Sequence, residues 1–253
     1  MVATDQKKER ALRRTDFLGL PLDTGDGAAM LAVLEQLADG DGPRHVAMLD
    51  MGRTLRARLR PEHGRFVRQA GAVLTSSSLV AGSAAFLGRK GVEPVRVFDL
   101  VIRLLSLAER NDETVYLLGG SKEVLQRAER NLRDSFRGLR IVGRFTGGYS
   151  PGQEDQILLA IQKAQPTLLL VGSGVPRREL WLLRNKKRLQ PGLAMWVGDC
   201  FEVFAGKKRN ARSRWAMALE LTLGSVIRPW RLLRILLLSY FLVLVVVHRL
   251  RRL

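Results

Sequence analysis

A chain of 253 residues, 46% of them apolar, suits one large α/β domain with an appendage or two small domains, and it carries enough apolar material for a packed core. Its 42 Lys and Arg against 24 Asp and Glu leave a formal charge of +18, which points to a polyanionic partner: nucleic acid, an anionic membrane or phosphorylated ligands. Cys200 is the only cysteine, which excludes an internal disulfide and suits a reducing compartment.

Residues 1–16 are charged and are expected to fray, with a flexible N-terminus drawn over 1–15; they hold no apolar stretch, so no signal peptide is read. The pattern AAMLAVLEQL predicts a helix over 28–37. Short apolar runs then alternate with helical patterns. The runs are HVAML (45–49), AVLT (72–75), VYLLG (115–119), RIVGRF (140–145), TLLLVG (167–172) and AMWVG (194–198). Helices are predicted between them at 79–88, 98–110, 121–135, 152–164 and 177–188. In the second of these, Phe98, Val101, Leu104, Leu105 and Leu107 recur at helical spacing. Continuous apolar runs separated by helices read as buried parallel strands. The expected fold over 16–206 is therefore α/β: an open, mainly parallel, Rossmann-like sheet with helices on both faces.

After Gly206 the character changes. Residues 207–253 hold eleven Lys or Arg and one acid, Glu220, a net +10 in 47 residues and more than half of the total charge. Trp215, Met217, Leu219, Leu221, Leu223 and Trp230 are interleaved with the basic residues, and 235–247 is an uncharged apolar run flanked by Arg234 and Arg249. Thirteen helical residues reach about 20 Å, short of the roughly 30 Å hydrocarbon core. A basic helical appendage lying on or partly in a membrane surface is thus expected, with a short span aided by snorkelling arginines as one alternative and a buried core helix as another. The terminal position and the flanking arginines count against the buried helix.

Four strand ends carry candidate site residues, because ligands of open parallel sheets bind beyond the carboxyl ends of the strands. Gly119, Gly120 and Ser121 leave the run at 115–119 and open a helix, either as a phosphate cradle or as a tight turn capped by Ser121. The stretch from Gly143 through Gly147 and Gly148 to Tyr149 ends the next strand and enters a loop, where Tyr149 either stacks on a base or sits in a surface turn. Gly174, Pro176 and Glu179 come after the strand at 167–172. Pro176 is expected to start a helix, and the Glu179 carboxylate in its first turn either holds sugar hydroxyls or a developing charge, or simply complements the helix dipole. Gly198, Asp199 and Glu202 again join strand to helix, and a capping pair accounts for either acid singly. The four glycine-bearing turns are expected to converge on one rim of the sheet.

Taken together and in this order, the segments resemble the WecG/TagA/CpsF glycosyltransferases, the N-acetylmannosaminyltransferase family of bacterial envelope synthesis. The resemblance rests on YLLGGS (116–121), IVGRFTGGY (141–149), VGSGVPRRELW (171–181) and VGDCFEVFAGKKR (197–209), followed by LEL (219–221) and RPWRLLR (228–234), and it covers roughly 16–234. It implies a UDP-N-acetylhexosamine donor, typically UDP-N-acetylmannosamine, and a polyprenyl-diphosphate-linked sugar as acceptor, met at the cytoplasmic face of the membrane, with no cofactor. Arg231 and Arg234 are then expected either to bind the lipid diphosphate or to snorkel to headgroups.

Departures from the family pattern fall mostly in the first half. The family's proposed general base, the Asp of an Asp-Gly pair, corresponds to Ser76, and a serine needs an activator to act as a base. The Asn after the first strand is Asp50, the nearest candidate for a relocated base; the Gln of a Gln-Glu pair is Arg178, with Glu179 kept; the Asp of Phe-Asp is Glu202. The Arg-Ala-Pro segment reads Asn210-Ala211-Arg212, and an Arg and an Asp of a further family element correspond to Arg96 and Asp99. The readings carried forward are an active transferase, a non-catalytic member that binds a sugar nucleotide or lipid-linked sugar, and a nucleic-acid-binding basic protein. The last is disfavoured because the charge crowds beside an apolar run and aromatics are only 6% of the chain. His45, His63 and His248 are far apart in sequence and suggest no metal site.

Overall fold

The computed structural model describes residues 12–25, 27–38, 43–189, 192–207 and 229–251. The chain divides into two units, 1–208 and 209–253.

The first unit opens with an antiparallel hairpin, β1 (Arg13–Phe17) and β2 (Leu20–Thr24). The ordered strand begins at Arg13, inside the stretch expected to fray. Its two-residue turn has positive φ at both Leu18 and Gly19, the mirror-image geometry that matches strand twist. Leu18 adopts it although it is not a typical turn residue, and its side chain is fully buried. Asp23 fastens the hairpin to the sheet: it takes two hydrogen bonds from the Arg14 guanidinium (2.7 and 2.8 Å) and one from the Val73 N–H (2.7 Å).

Then follow α1 (Gly27–Ala38), β3 (Pro43–Leu49), α2 (Met51–Leu59), α3 (Pro61–Arg68), β4 (Ala72–Thr75), α4 (Ser78–Phe86), α5 (Val97–Arg110), β5 (Thr114–Leu118) and α6 (Lys122–Ser135). After these come β6 (Arg140–Phe145), α7 (Glu154–Ala164), β7 (Leu168–Gly172), α8 (Leu180–Asn185), β8 (Gly192–Gly198) and α9 (Cys200–Phe204). All six expected strands form one parallel sheet in the order β4-β3-β8-β7-β5-β6. The β5 connection leads outward to β6 whereas the β7 connection leads the opposite way to β8, so the strand order reverses between β5 and β7.

Alternate residues of each strand point to opposite faces. Val46, Met48, Leu74, Val115, Leu117, Leu168, Leu170, Leu193 and Met195 join one core with Leu34 of α1, Leu105 of α5, Leu125 of α6 and Phe201 of α9. Residues between them, among them Leu49, Val73, Leu118 and Val171, are also buried, and Leu55, Phe66, Ile157 and Trp181 of α2, α3, α7 and α8 are buried as well. The sheet is thus covered on both faces.

Two elements differ from expectation. Residues 51–68, assigned no structure from the sequence, form α2 and α3, which are split where Pro61 takes the first helical position of α3. The helix expected over 177–188 starts only at Leu180, because Arg177 and Arg178 both have left-handed backbones (φ 58 and 53) that no right-handed helix accommodates. Pro176 therefore opens no helix.

The second unit is described over α10 (Pro229–Leu250). Among the described residues no helix is long and apolar enough to cross a membrane. Leu236, Tyr240, Val243, Val246 and Leu250 of α10 are exposed.

Candidate functional site

Because every sheet strand runs the same way, all six carboxyl ends share one edge, and there the glycine turns are hydrogen-bonded to one another. Gly119 N–H donates to Phe145 O (2.8 Å), Gly120 N–H to Ser173 O (2.7 Å), Gly147 N–H to Gly120 O (2.8 Å), Gly148 N–H to Gly174 O (2.8 Å) and Ser173 N–H to Gly198 O (2.9 Å). The turns at 119, 147, 174 and 198 therefore converge on one rim. Their approach is too close for side chains: a Cβ on Gly119 would lie 2.8 Å from the Gly172 backbone, and one on Gly147 2.6 Å from Ser173 O.

These bonds decide between readings left open by the sequence. The N–H groups of Gly119, Gly120 and Gly148 are engaged within the rim, so these turns serve to join loops. Ser121 caps α6, its Oγ accepting from Val124 N–H (3.4 Å) and donating to Glu123 (2.9 Å). Tyr149 is buried with its ring edge-on to Phe145 (centroids 6.3 Å apart), which removes it as a platform for a base. Burial and the Glu154 charge push its phenol up to about 12, so the hydroxyl stays protonated.

A cleft of about 1340 Å³ opens on the same edge. One wall is α2 and α3. Asp50 caps α2, accepting from Arg53 N–H (2.8 Å) and pairing with its guanidinium (3.3 Å). Thr54, Leu55 and Ala57 turn inward, which leaves Arg53, Arg56 and Arg60 on the cleft side, together with His63 and Arg65 of α3. The facing wall is the loop after β7, with Gly174, Arg177, Arg178 and Glu179; Trp196, Gly198 and Asp199 of the β8 end also line the cleft. Six arginines thus meet three acids, Glu62, Glu179 and Asp199.

Consecutive left-handed residues at Arg177 and Arg178 cost about 1–2 kcal/mol each. They carry the chain round so that Glu179, at 8% exposure, lines the cleft wall, its carboxylate making no hydrogen bond or ion pair with the described residues and opening towards the cleft.

The capping pair expected at 199 and 202 does not form. Asp199 stands at the α9 N-cap without a side-chain cap bond, and Glu202 instead accepts from Ser173 Oγ (2.6 Å), its second oxygen buried without a partner among the described residues. Burial, reinforced by Asp199 and Glu202, pushes the Cys200 thiol up to about 12, so it is no nucleophile. Arg96 and Asp99 pair with each other at 3.8 Å across the start of α5.

Of the residues singled out in the sequence, Gly174, Glu179, Gly198 and Asp199 meet in the cleft. Ser76 is exposed at the end of β4, its N–H bonded to Leu49 O (3.1 Å), and like Asp50 it is outside the cleft lining. Arg231 and Arg234 fall on α10, but their side chains lie outside the described residues, as do the segments 210–212 and 219–221. The α2–α3 arginines carried the signal that was available: Arg53, Arg56 and Arg60 at helical spacing directly before a proline. Among the described residues no group of His, Cys, Asp and Glu comes together as a metal site.

A family model described as "Glycosyl transferase WecG/TagA/CpsF family" matches residues 15–253. Similar curated proteins include "N-acetylglucosaminyldiphosphoundecaprenol N-acetyl-beta-D-mannosaminyltransferase" from Staphylococcus aureus strains NCTC 8325 / PS 47, COL and MRSA252. Each is 25% identical over 145 residues, 57% of this chain and 56% of the relative. The match therefore spans little more than half the length of those relatives.

Proposed function

The chain belongs to the WecG/TagA/CpsF glycosyltransferase family, and from that premise we propose that it moves an N-acetylhexosamine of the mannosamine type from a UDP-sugar to a polyprenyl-diphosphate-linked sugar. The product feeds cell-envelope polysaccharide synthesis at the cytoplasmic face of the membrane. The activity named for the S. aureus relatives, transfer of N-acetylmannosamine to N-acetylglucosaminyldiphosphoundecaprenol, supports the choice of sugar and acceptor class.

One observation carries the chemistry: a carboxylate without a partner among the described residues, Glu179, lines a strongly basic cleft at the carboxyl edge of a parallel sheet. In the proposed reaction Glu179 takes the proton of the acceptor hydroxyl. The freed oxygen attacks the anomeric carbon, the bond from that carbon to the donor diphosphate breaks, and its electron pair leaves with UDP. Arginine side chains stabilise the charge gathering on the leaving diphosphate. Asp50, the other candidate base, is already committed to the α2 cap and Arg53, so its replacement acts through the helix. Ser76 has no carboxylate to contribute.

The test is to incubate the full chain with UDP-N-acetylmannosamine and a lipid-diphosphate-N-acetylglucosamine analogue and to measure UDP release and disaccharide formation. Transfer is expected, and Glu179→Gln is expected to lower kcat by about 10²–10⁴ without weakening UDP binding. Ligand binding with no transfer by the unaltered chain overturns the enzymatic reading in favour of a sugar-nucleotide or lipid-sugar binding protein. Equal kcat in Glu179→Gln removes the base assignment alone.

A further inference from the structure

We propose that the arginines of α2 and α3 form a diphosphate-binding wall in the cleft. The inference rests on the functional reading above for the identity of the molecule bound, but not for the charge and geometry of the group.

Arg53 and Arg56 stand three residues apart on one face of α2, Arg60 sits in extended backbone at the junction of α2 and α3, and Arg65 follows on α3; all four line the cleft. Like charges at this spacing repel and weaken a helix. Arg53 has Asp50 as a partner, whereas the guanidinium groups of Arg56, Arg60 and Arg65 make no hydrogen bond or ion pair with the described residues. Elsewhere on the same unit Arg133, Arg140 and Arg188 each pair with a carboxylate. Across the cleft, Arg177 and Arg178 add two more guanidinium groups that lack protein partners among the described residues.

Arginine forks match phosphate oxygens in pairs, and an array of them fits a group with several charged oxygens better than a single carboxylate. Six arginines against three acids leave the cleft an excess of three positive charges, and a diphosphate diester brings about two negative ones at neutral pH. A glycine-rich phosphate cradle works through free backbone N–H groups, and those of Gly119, Gly120, Gly147 and Gly148 are hydrogen-bonded to neighbouring loops. The α2 and α3 side chains supply charge that those four glycines do not, from a part of the chain that the glycine motifs do not reach.

The donor nucleotide and the lipid-linked acceptor both contain such a group, and three probes separate them: inorganic pyrophosphate, UDP and a short-chain prenyl diphosphate. Each is titrated into the full chain in mild detergent, followed by calorimetry and by the fluorescence of Trp196, which lines the cleft. Arg56→Gln/Arg60→Gln is expected to weaken pyrophosphate binding by about tenfold or more and to flatten its salt dependence. Arg130→Gln on α6, away from the cleft, is expected to bind as the unaltered chain does. Loss for UDP alone assigns the wall to the donor, and loss for the prenyl diphosphate alone assigns it to the acceptor. Should the double variant fail to fold, Arg65→Gln reads the same loss from α3. Unchanged binding of all three probes by folded variants overturns the proposal. Sugar transfer with unchanged binding leaves the transferase reading standing without the wall; arginine-dependent pyrophosphate binding without transfer leaves the wall standing without the transferase.

Discussion

His45 sits on β3 with its Nε2–H donating to Phe66 O (2.8 Å) and its ring stacked on Phe66 at 4.5 Å, which pins α3 to the sheet. Burial pushes its pKa down to about 4; the bond to Phe66 works the other way, and the Lys186 charge assists the fall. A folded pKa below the unfolded value of about 6.5 means that protons bind the unfolded chain better. The stabilisation is complete above about pH 6.5 and is lost as pH falls towards 4, on the order of 3 kcal/mol in all. Urea midpoints measured from pH 7 to pH 4 should fall along this window, and His45→Gln should flatten the fall. A profile identical in the variant removes His45 as its source. The cleft residues read from the sequence, Gly174, Glu179, Gly198 and Asp199, were legible because they lie at the end of an apolar strand run or in the loop that leaves it. The left-handed backbones of Arg177 and Arg178 were not, because nothing local in an arginine pair demands that conformation. They follow from the packing that buries Glu179.

Five strands of the sheet were legible because strands buried on both faces read as unbroken apolar runs, and the edge strand β6, which has no buried residue, was legible from its shorter apolar pattern; each was found within a residue or two of its limits. The α2–α3 pair was not, since an arginine-dense segment with a central proline shows few apolar positions, and its buried set is only Thr54, Leu55, Ala57, Phe66, Val67 and Gly64. Half of the cleft was lost with it. At the reversal between β5 and β7, the close pass of Gly119 over Gly172 permits a direct test. Gly119→Ala combines a φ of +126 with a Cβ 2.8 Å from backbone atoms that cannot move aside, and a loss of about 3 kcal/mol or more in denaturant unfolding is expected. Gly88→Ala, at a φ of +77 nearer the left-handed region, meets nothing within 4 Å, so it should cost only about 1 kcal/mol. Equal losses at both sites contradict the steric account.

For the whole molecule, the charge is spread unequally along the chain, with +10 of +18 in residues 207–253. Each Lys or Arg near an anionic bilayer contributes about 1 kcal/mol to surface binding, and the exposed leucines and valines of α10 add insertion into the interface. The full chain should sediment with phosphatidylserine-containing vesicles, less so as salt rises, and removal of residues 235–253 should abolish sedimentation while the parallel sheet keeps its unfolding transition. Sedimentation that survives the deletion places the membrane contact elsewhere; tighter retention of RNA than of vesicles in a parallel filter assay reverses the choice of partner.

A protein held on a lipid surface is concentrated in two dimensions, where exposed strand borders invite copies to stack into fibres. Here the outermost strand β4 offers little template on its open side. Asp23 occupies the Val73 N–H, Arg14 occupies Gly71 O, and the Val95 N–H occupies Thr75 O. The β1–β2 hairpin and the segment at Val95 thus cover that flank of β4 and leave the sheet little room to take up another strand there.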